Sequence, residues 1–297
     1  MAGFFGFFDY TKPGKGVDPD EPPKHAFFLF FELFWRKFSR MILFNFLYFL
    51  LLTPLITFGL LCLLQPGLLE TGNGALSLGF LAPILVDLYA KLGVFFYVPV
   101  AIALIVYGPV TCGYTYVLRN FARQEHAWNS DFFQKAKENF KQGLFLGLLD
   151  AVVLAVFFFN MIATVPGNGH NGALLLTVSR YASFIVMVVY LCMRHYTYLL
   201  TVTFALNIRQ ILKNAWIFSV LGLWRNILIL VVNGALILAA VLIHPLAELI
   251  AVPLFLFSFT GFVSVFTAYP VLKKYMIELP AQKALEEQVT QEENGDA

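Results

Sequence analysis

Asp150 and Arg194 are charged residues set inside long apolar runs, LGLLDAVVL and YLCMRHYTYLL. In such surroundings a carboxylate and a guanidinium can pair with each other, bind a polar solute or relay a proton. An isolated charge near the middle of a bilayer costs at least about 2.5–3.5 kcal/mol, so each needs a partner or water. Asp150 lies about 10 Å into its run at 1.5 Å per residue. Counted from the turn between the two runs, the depths of Asp150 and Arg194 differ by roughly 9 Å, which an arginine side chain and moderate tilt can close. An interior ion pair, direct or through a water, is therefore expected. The alternative is that the second run slides to 173–193, which leaves Arg194 at an interface and lets Asp150 meet Arg225.

Little else in the chain has the chemistry of a reaction centre. His25, His126, His170, His195 and His244 are scattered at element ends or beside charges, and no two of them stand at the i,i+3 or i,i+4 spacing of a metal site. Cys62, Cys112 and Cys192 sit in apolar runs without a C-x-x-C pair, which reads as small buried hydrophobes. Phosphate-binding, zinc-protease, nucleophile-elbow and dinucleotide signatures are missing. No catalysis, metal or cofactor is expected.

The elements that must hold these charges follow from composition. Of 297 residues, 59% are hydrophobic and 13% charged, with a mean hydropathy of +0.75; soluble domains carry roughly 25% charged residues. The net charge of +2 and the lack of a basic cluster point away from nucleic acid. Apolar runs at about 41–64, 93–118, 143–165, 181–206, 226–243 and 246–272 each approach or exceed the ~20 residues that span a bilayer. Backbone hydrogen-bond satisfaction in lipid makes them helices. The expected fold is all-α: a polytopic bundle of about six transmembrane helices.

Orientation follows from lysine and arginine. Seventeen fall in the N-terminal segment, the 119–141 and 209–225 connections and the tail; Lys91 and Arg180 fall on the other side, and Arg194 within a span. By the positive-inside rule both termini face the cytoplasm, with the cell membrane as the location. Three parts are expected: a cytoplasmic tether over 1–26, a six-span domain over 27–275 and an acidic tail over 276–297. The tether and the turns TGNGA and PGNGHNG are rich in glycine, proline and mixed charge.

Two basic connections carry apolar stripes. DFFQKAKENFKQG places Phe132, Phe133 and Phe140 on one helical face, and LNIRQILKNAWI does the same with Ile208, Ile211 and Ala215. Such helices suit the headgroup plane or the docking of a partner, with Asn139, Asn214 and Trp216 as further candidates; the alternative is that they extend the adjoining spans as stalks. Asn139 precedes Gly147-Leu148, and Asn214 precedes Gly222-Leu223, at the same interval, which hints at a repeated unit. Thr260, Ser264 and Ala268 make a small-xxx-small ridge for close helix packing. Pro54, Pro99, Pro109, Pro253 and Pro270 should kink the first, second and sixth spans.

Several stretches in order, FFDYTKPGKGVDPDEPPK, GPVTCGYTYVLRNFARQEHAW, DFFQKAKENFKQ and VTFALNIRQILKNA, resemble the YesL family of bacterial membrane proteins. The departure from that pattern is the long 65–107 segment. The resemblance implies an association with carbohydrate uptake by ATP-driven (ABC) importers, and it supplies no catalytic residues. The expected function is a non-catalytic accessory subunit or partner of such an importer's permease, embedded in the lipid bilayer. A self-contained small-solute transporter or channel, or a membrane scaffold or sensor, are the alternatives.

Overall fold

The computed structural model describes residues 24–64, 82–162, 170–243 and 250–295. The tether up to residue 23, the turn TGNGA and most of PGNGHNG lie outside them. Among the described residues there is no strand, and six helices are long and apolar enough to cross a membrane. The chain is an all-α, multi-pass membrane protein.

The elements are α1 (Ala26–Leu64), α2 (Ala82–Leu92), α3 (Tyr97–Ala122), α4 (Asn129–Glu138), α5 (Phe140–Ile162), α6 (His170–Thr203), α7 (Ile208–Leu221), α8 (Leu223–Ile243), α9 (Phe257–Lys273) and α10 (Leu279–Gly295). Several run past their apolar stretch. α1 begins well before residue 41, α6 extends back through Arg180 to His170, and α10 shows that the acidic tail is helical. In α1 and α6 the charged residues Arg36, Arg40 and Arg180 interrupt the apolar signal without ending the helix, and in α10 the helix continues through sequence with no apolar signal at all. The 82–92 stretch is helical too; a turn at Gly93, with φ +53, leads from it towards α3.

The chain forms two compact units, Met1–Arg36 and Lys37–Ala297. In the first unit Lys24 pairs with Glu32 at 2.8 Å, and Phe27, Phe30 and Phe31 form edge-to-face contacts along one helix flank. The second unit holds the bundle and the charged residues discussed above.

Two successive units in the bundle share one plan. In each, a long span is followed by a shorter capped helix, a bend at a single residue and a second span: α3–α4–α5 and α6–α7–α8. The N-terminus of α4 is fixed by the Trp128 amide donating to Asp131 Oδ2 at 2.8 Å, and that of α7 by the Asn207 amide donating to Gln210 Oε1 at 3.0 Å. These side chains reach back to the N-cap amide in the manner of a capping box. Arg119, buried near the end of α3, donates to the Val202 carbonyl at 2.7 Å and so joins the two units at carbonyls that α6 leaves open. Gln142 donates to the Leu206 carbonyl at 2.8 Å, a second tie between them.

The first unit closes through glycine. A Cβ on Gly147 would stand 2.7 Å from the Gly108 nitrogen, and one on Gly143 would stand 2.7 Å from the Pro109 nitrogen. Backbone meets backbone there, as small residues allow between helices in lipid. α6 and α8 make no comparable crossing and meet only sparsely.

The prolines act locally. Pro54, Pro109 and Pro270 lie inside α1, α3 and α9, while Pro253 belongs to a π-helical turn over Val252–Leu256 that leads into α9. The π turn leaves carbonyls without regular partners. Fully buried Asn45 of α1 donates to the Val252 and Pro253 carbonyls at 2.9 and 2.6 Å, and its Oδ1 accepts the Ser258 amide at 2.7 Å. One amide side chain thereby satisfies three backbone groups that lipid would leave bare.

Candidate functional site: a buried carboxylate and the cavity beside it

Asp150 is 1% exposed and sits where α3, α5 and α6 meet. Its Oδ2 accepts from Arg194 Nε at 2.9 Å, Tyr198 Oη at 2.8 Å and Tyr107 Oη at 3.1 Å; its Oδ1 accepts from Tyr190 Oη. A carboxylate offers about four lone-pair sites, so this one is saturated. Arg194 also donates through Nη2 to Tyr107 Oη at 2.7 Å, and its guanidinium lies 5.1 Å from the centre of the Tyr198 ring.

The geometry follows from helix periodicity. Tyr190, Arg194 and Tyr198 recur at four-residue intervals on α6, so they share one face. The neighbouring spans contribute Tyr107, one residue before the glycine crossing, and Asp150, three after Gly147. The close glycine approach thus brings α3 and α5 near enough for the tyrosine to reach the acid. The three tyrosines do not stand out by composition; the four-residue spacing around Arg194 marks Tyr190 and Tyr198, while nothing in the sequence marks Tyr107.

A polar seam continues on the other side of α3. Tyr48 and Tyr114 stack with ring centres 4.4 Å apart. Tyr48 Oη lies 3.0 Å from Thr111 Oγ1, while Tyr114 Oη donates to Ser258 Oγ at 2.9 Å and Ser258 donates to the Met41 carbonyl at 2.7 Å. Between these seams lies a partly open cavity of about 360 Å³, walled by α1, α3, α6, α8 and α9. Arg194, 27% exposed in its side chain, lines it together with His195, Asn233 and Gly234.

The other candidate residues take different places. Arg225 is exposed near the start of α8 and makes no ion pair with Asp150 among the described residues. Phe132 is fully buried: its ring lies 6.0 Å from that of Phe44, and its backbone carbonyl lies under Gly113. It belongs to the core and cannot dock a partner. Phe133, Phe140 and Trp216 are exposed. Asn139 is the bend residue, its side chain donating to the Lys135 carbonyl at 2.9 Å, and Asn214 is half-buried within α7. Ser264 and Thr260 receive the Asn233 amide, and Ala268 is fully buried. Among the described residues no cluster of His, Cys, Asp or Glu has the grouping of a metal site.

Comparison with protein-family models, with curated proteins and with solved structures gives no match in any of the three.

Proposed function

We infer that this chain is a non-catalytic membrane partner of an ATP-driven carbohydrate importer, held with both termini in the cytoplasm. The resemblance of its ordered motifs to the YesL family supplies the context. The observation that carries the reading is the pair of helices α4 and α7. Each is capped at its start, bent at one residue into a span and packed through Phe132 or Ile211 into the protein, yet each leaves an aromatic outward: Phe133 on one, Trp216 on the other. Rigid exposed aromatics are the side chains that anchor protein contacts, and the basic residues around them suit the cytoplasmic face.

Affinity purification from crosslinked, sugar-grown cells in mild detergent, with mass spectrometry, tests this reading. Recovery of importer permease and ATPase subunits, lost with Phe133→Ala and Trp216→Ala together, is the expected result. Their absence from wild-type material overturns it.

The second reading, a small-solute transporter, draws on the cavity, since polar groups deep in a bundle are where membrane proteins hold solutes. Uptake by proteoliposomes containing this chain alone, with no ATPase present, would favour it.

A further inference from the structure

The cavity beside Arg194 is bounded by groups whose hydrogen-bonding capacity the protein leaves unspent. Asn233 Nδ2 donates to Ser264 Oγ at 2.9 Å and to the Thr260 carbonyl at 3.3 Å. Those contacts fix the orientation of the amide, because a flip would set its oxygen against the carbonyl. The Oδ1 that remains is buried with no hydrogen-bond partner among the described residues, and His195 Nε2 is in the same condition. Across the cavity Arg194 uses Nε and Nη2 on Asp150 and Tyr107, and a guanidinium carries further N–H donors beyond those. Orphaned buried polar atoms are costly, the more so in a lipid-embedded bundle.

Charge narrows what can satisfy them. Asp150 neutralises Arg194 and is itself saturated with donors, so the pair has no net charge with which to hold an ion. The rest of the wall mixes apolar side chains, Leu118, Leu191, Leu230 and Ile237, with hydroxyls such as those of Thr111, Thr260 and Ser264, which already donate to backbone carbonyls. We propose that this cavity is a binding site for a neutral, hydroxyl-bearing small molecule with an apolar body. Its hydroxyl accepts from Arg194, whose side chain is 27% exposed, and donates to Asn233 Oδ1 or His195 Nε2, buried atoms that become accessible only when the entering ligand displaces their neighbours. The volume of about 360 Å³ falls at the lower end of the roughly 300–1,000 Å³ of small-molecule sites. The site exists because α6 and α8 do not close on each other as α3 and α5 do through Gly108, Gly143 and Gly147. It is independent of any importer partner.

The full chain, purified in a detergent without hydroxyl groups, is titrated with three probes of one frame: cyclohexylmethanol, cyclohexanecarboxylate and methylcyclohexane. Thermal unfolding is followed. The alcohol should raise Tm saturably, as a ligand of the folded state does, and by more than either of the others. Gly234 lines the cavity, and a Cβ added there meets nothing within 4 Å, so Gly234→Leu should fold and abolish the shift. Asn233→Leu provides a second readout, and should shrink the preference for the alcohol over the hydrocarbon. No saturable shift, an equal shift with methylcyclohexane, a larger one with the carboxylate, or an unchanged shift in Gly234→Leu each overturns the proposal.

Discussion

Asn139 and Gly222 are the same bend made twice. Asn139 has φ −97° and ψ 20°, Gly222 has φ −95° and ψ 18°, and each joins a short capped helix to the span that follows. The helical ladder is carried across both bends: the Asn139 amide donates to the Lys135 carbonyl at 3.1 Å and the Gly222 amide to the Phe218 carbonyl at 2.8 Å. Each bend carbonyl in turn receives the amide four residues on, from Gly143 at 2.7 Å and from Asn226 at 2.9 Å. The two span–helix–span units are therefore built alike, and they differ in whether their spans close.

The ion pair at the centre of the bundle sets the first expectation. Asp150→Asn leaves Arg194 buried without its counter-charge, and Arg194→Gln does the same to Asp150. Each should cost about 3–5 kcal/mol. The double variant should lose about as much as either single one, so a double-mutant cycle on detergent-solubilised protein should show strong coupling. Additive losses would mean that the two charges do not depend on each other.

Two glycines give a matched comparison. In Gly108→Ala the new methyl would press on the Gly143 carbonyl and lie 2.8 Å from the Gly147 nitrogen; backbone cannot yield as a side chain can, so a loss of about 1–3 kcal/mol or more is expected. Gly234→Ala meets nothing within 4 Å and should stabilise α8 by about 0.8–1.0 kcal/mol. Denaturant unfolding of both variants should give opposite signs.

Asn45 offers a third test. Asn45→Leu removes the partner of the Val252 and Pro253 carbonyls and of the Ser258 amide. At about 1–3 kcal/mol for each orphaned buried group, it should be among the most damaging single changes in α1. Asn45→Gln, with its longer reach, should recover only part of the loss. An Asn45→Leu protein as stable as wild type would show that the π turn does not depend on this amide.

Orientation is tested by labelling. In a cysteine-free background, cysteines at Ser130 and Asn294 should be protected from an impermeant maleimide in intact cells, while one at Asn168 should react. The reverse pattern would invert the proposed topology.

What the sequence shows depends on what each residue costs. Asp150 and Arg194 stand out because a lone charge in lipid is expensive, and the structure places them 2.9 Å apart. Tyr107, Tyr190 and Tyr198 are inexpensive at any depth, so Tyr190 and Tyr198 pass unnoticed until Arg194 is seen to have a tyrosine four residues to either side, and Tyr107, on another span, is found only from its contact with Asp150. The repeat is visible from residue identity but misaligned by it: matching Asn139 to Asn214 misses that the structural counterpart is Gly222. The bend uses a negative φ that any residue can adopt, so residue type is a poor marker of its position. The amphipathic stripes of α4 and α7 are plain in sequence, whereas which aromatic turns inward is decided by tertiary contacts such as Gly113 on Phe132. Asn45 and Asn233 are single polar residues in apolar runs, and their partners lie on spans distant in the chain.

The grip of Asn45 on the last span also bears on biogenesis. Asn45 and Val252 are 207 residues apart, and ribosomes add about 5–20 residues per second. The first span is therefore in the membrane about 10–40 s before its amide meets the carbonyls it serves. During that interval the insertion machinery, lipid headgroups or water must occupy Asn45. The chain's first and last spans then lock together only after every span between them has been threaded.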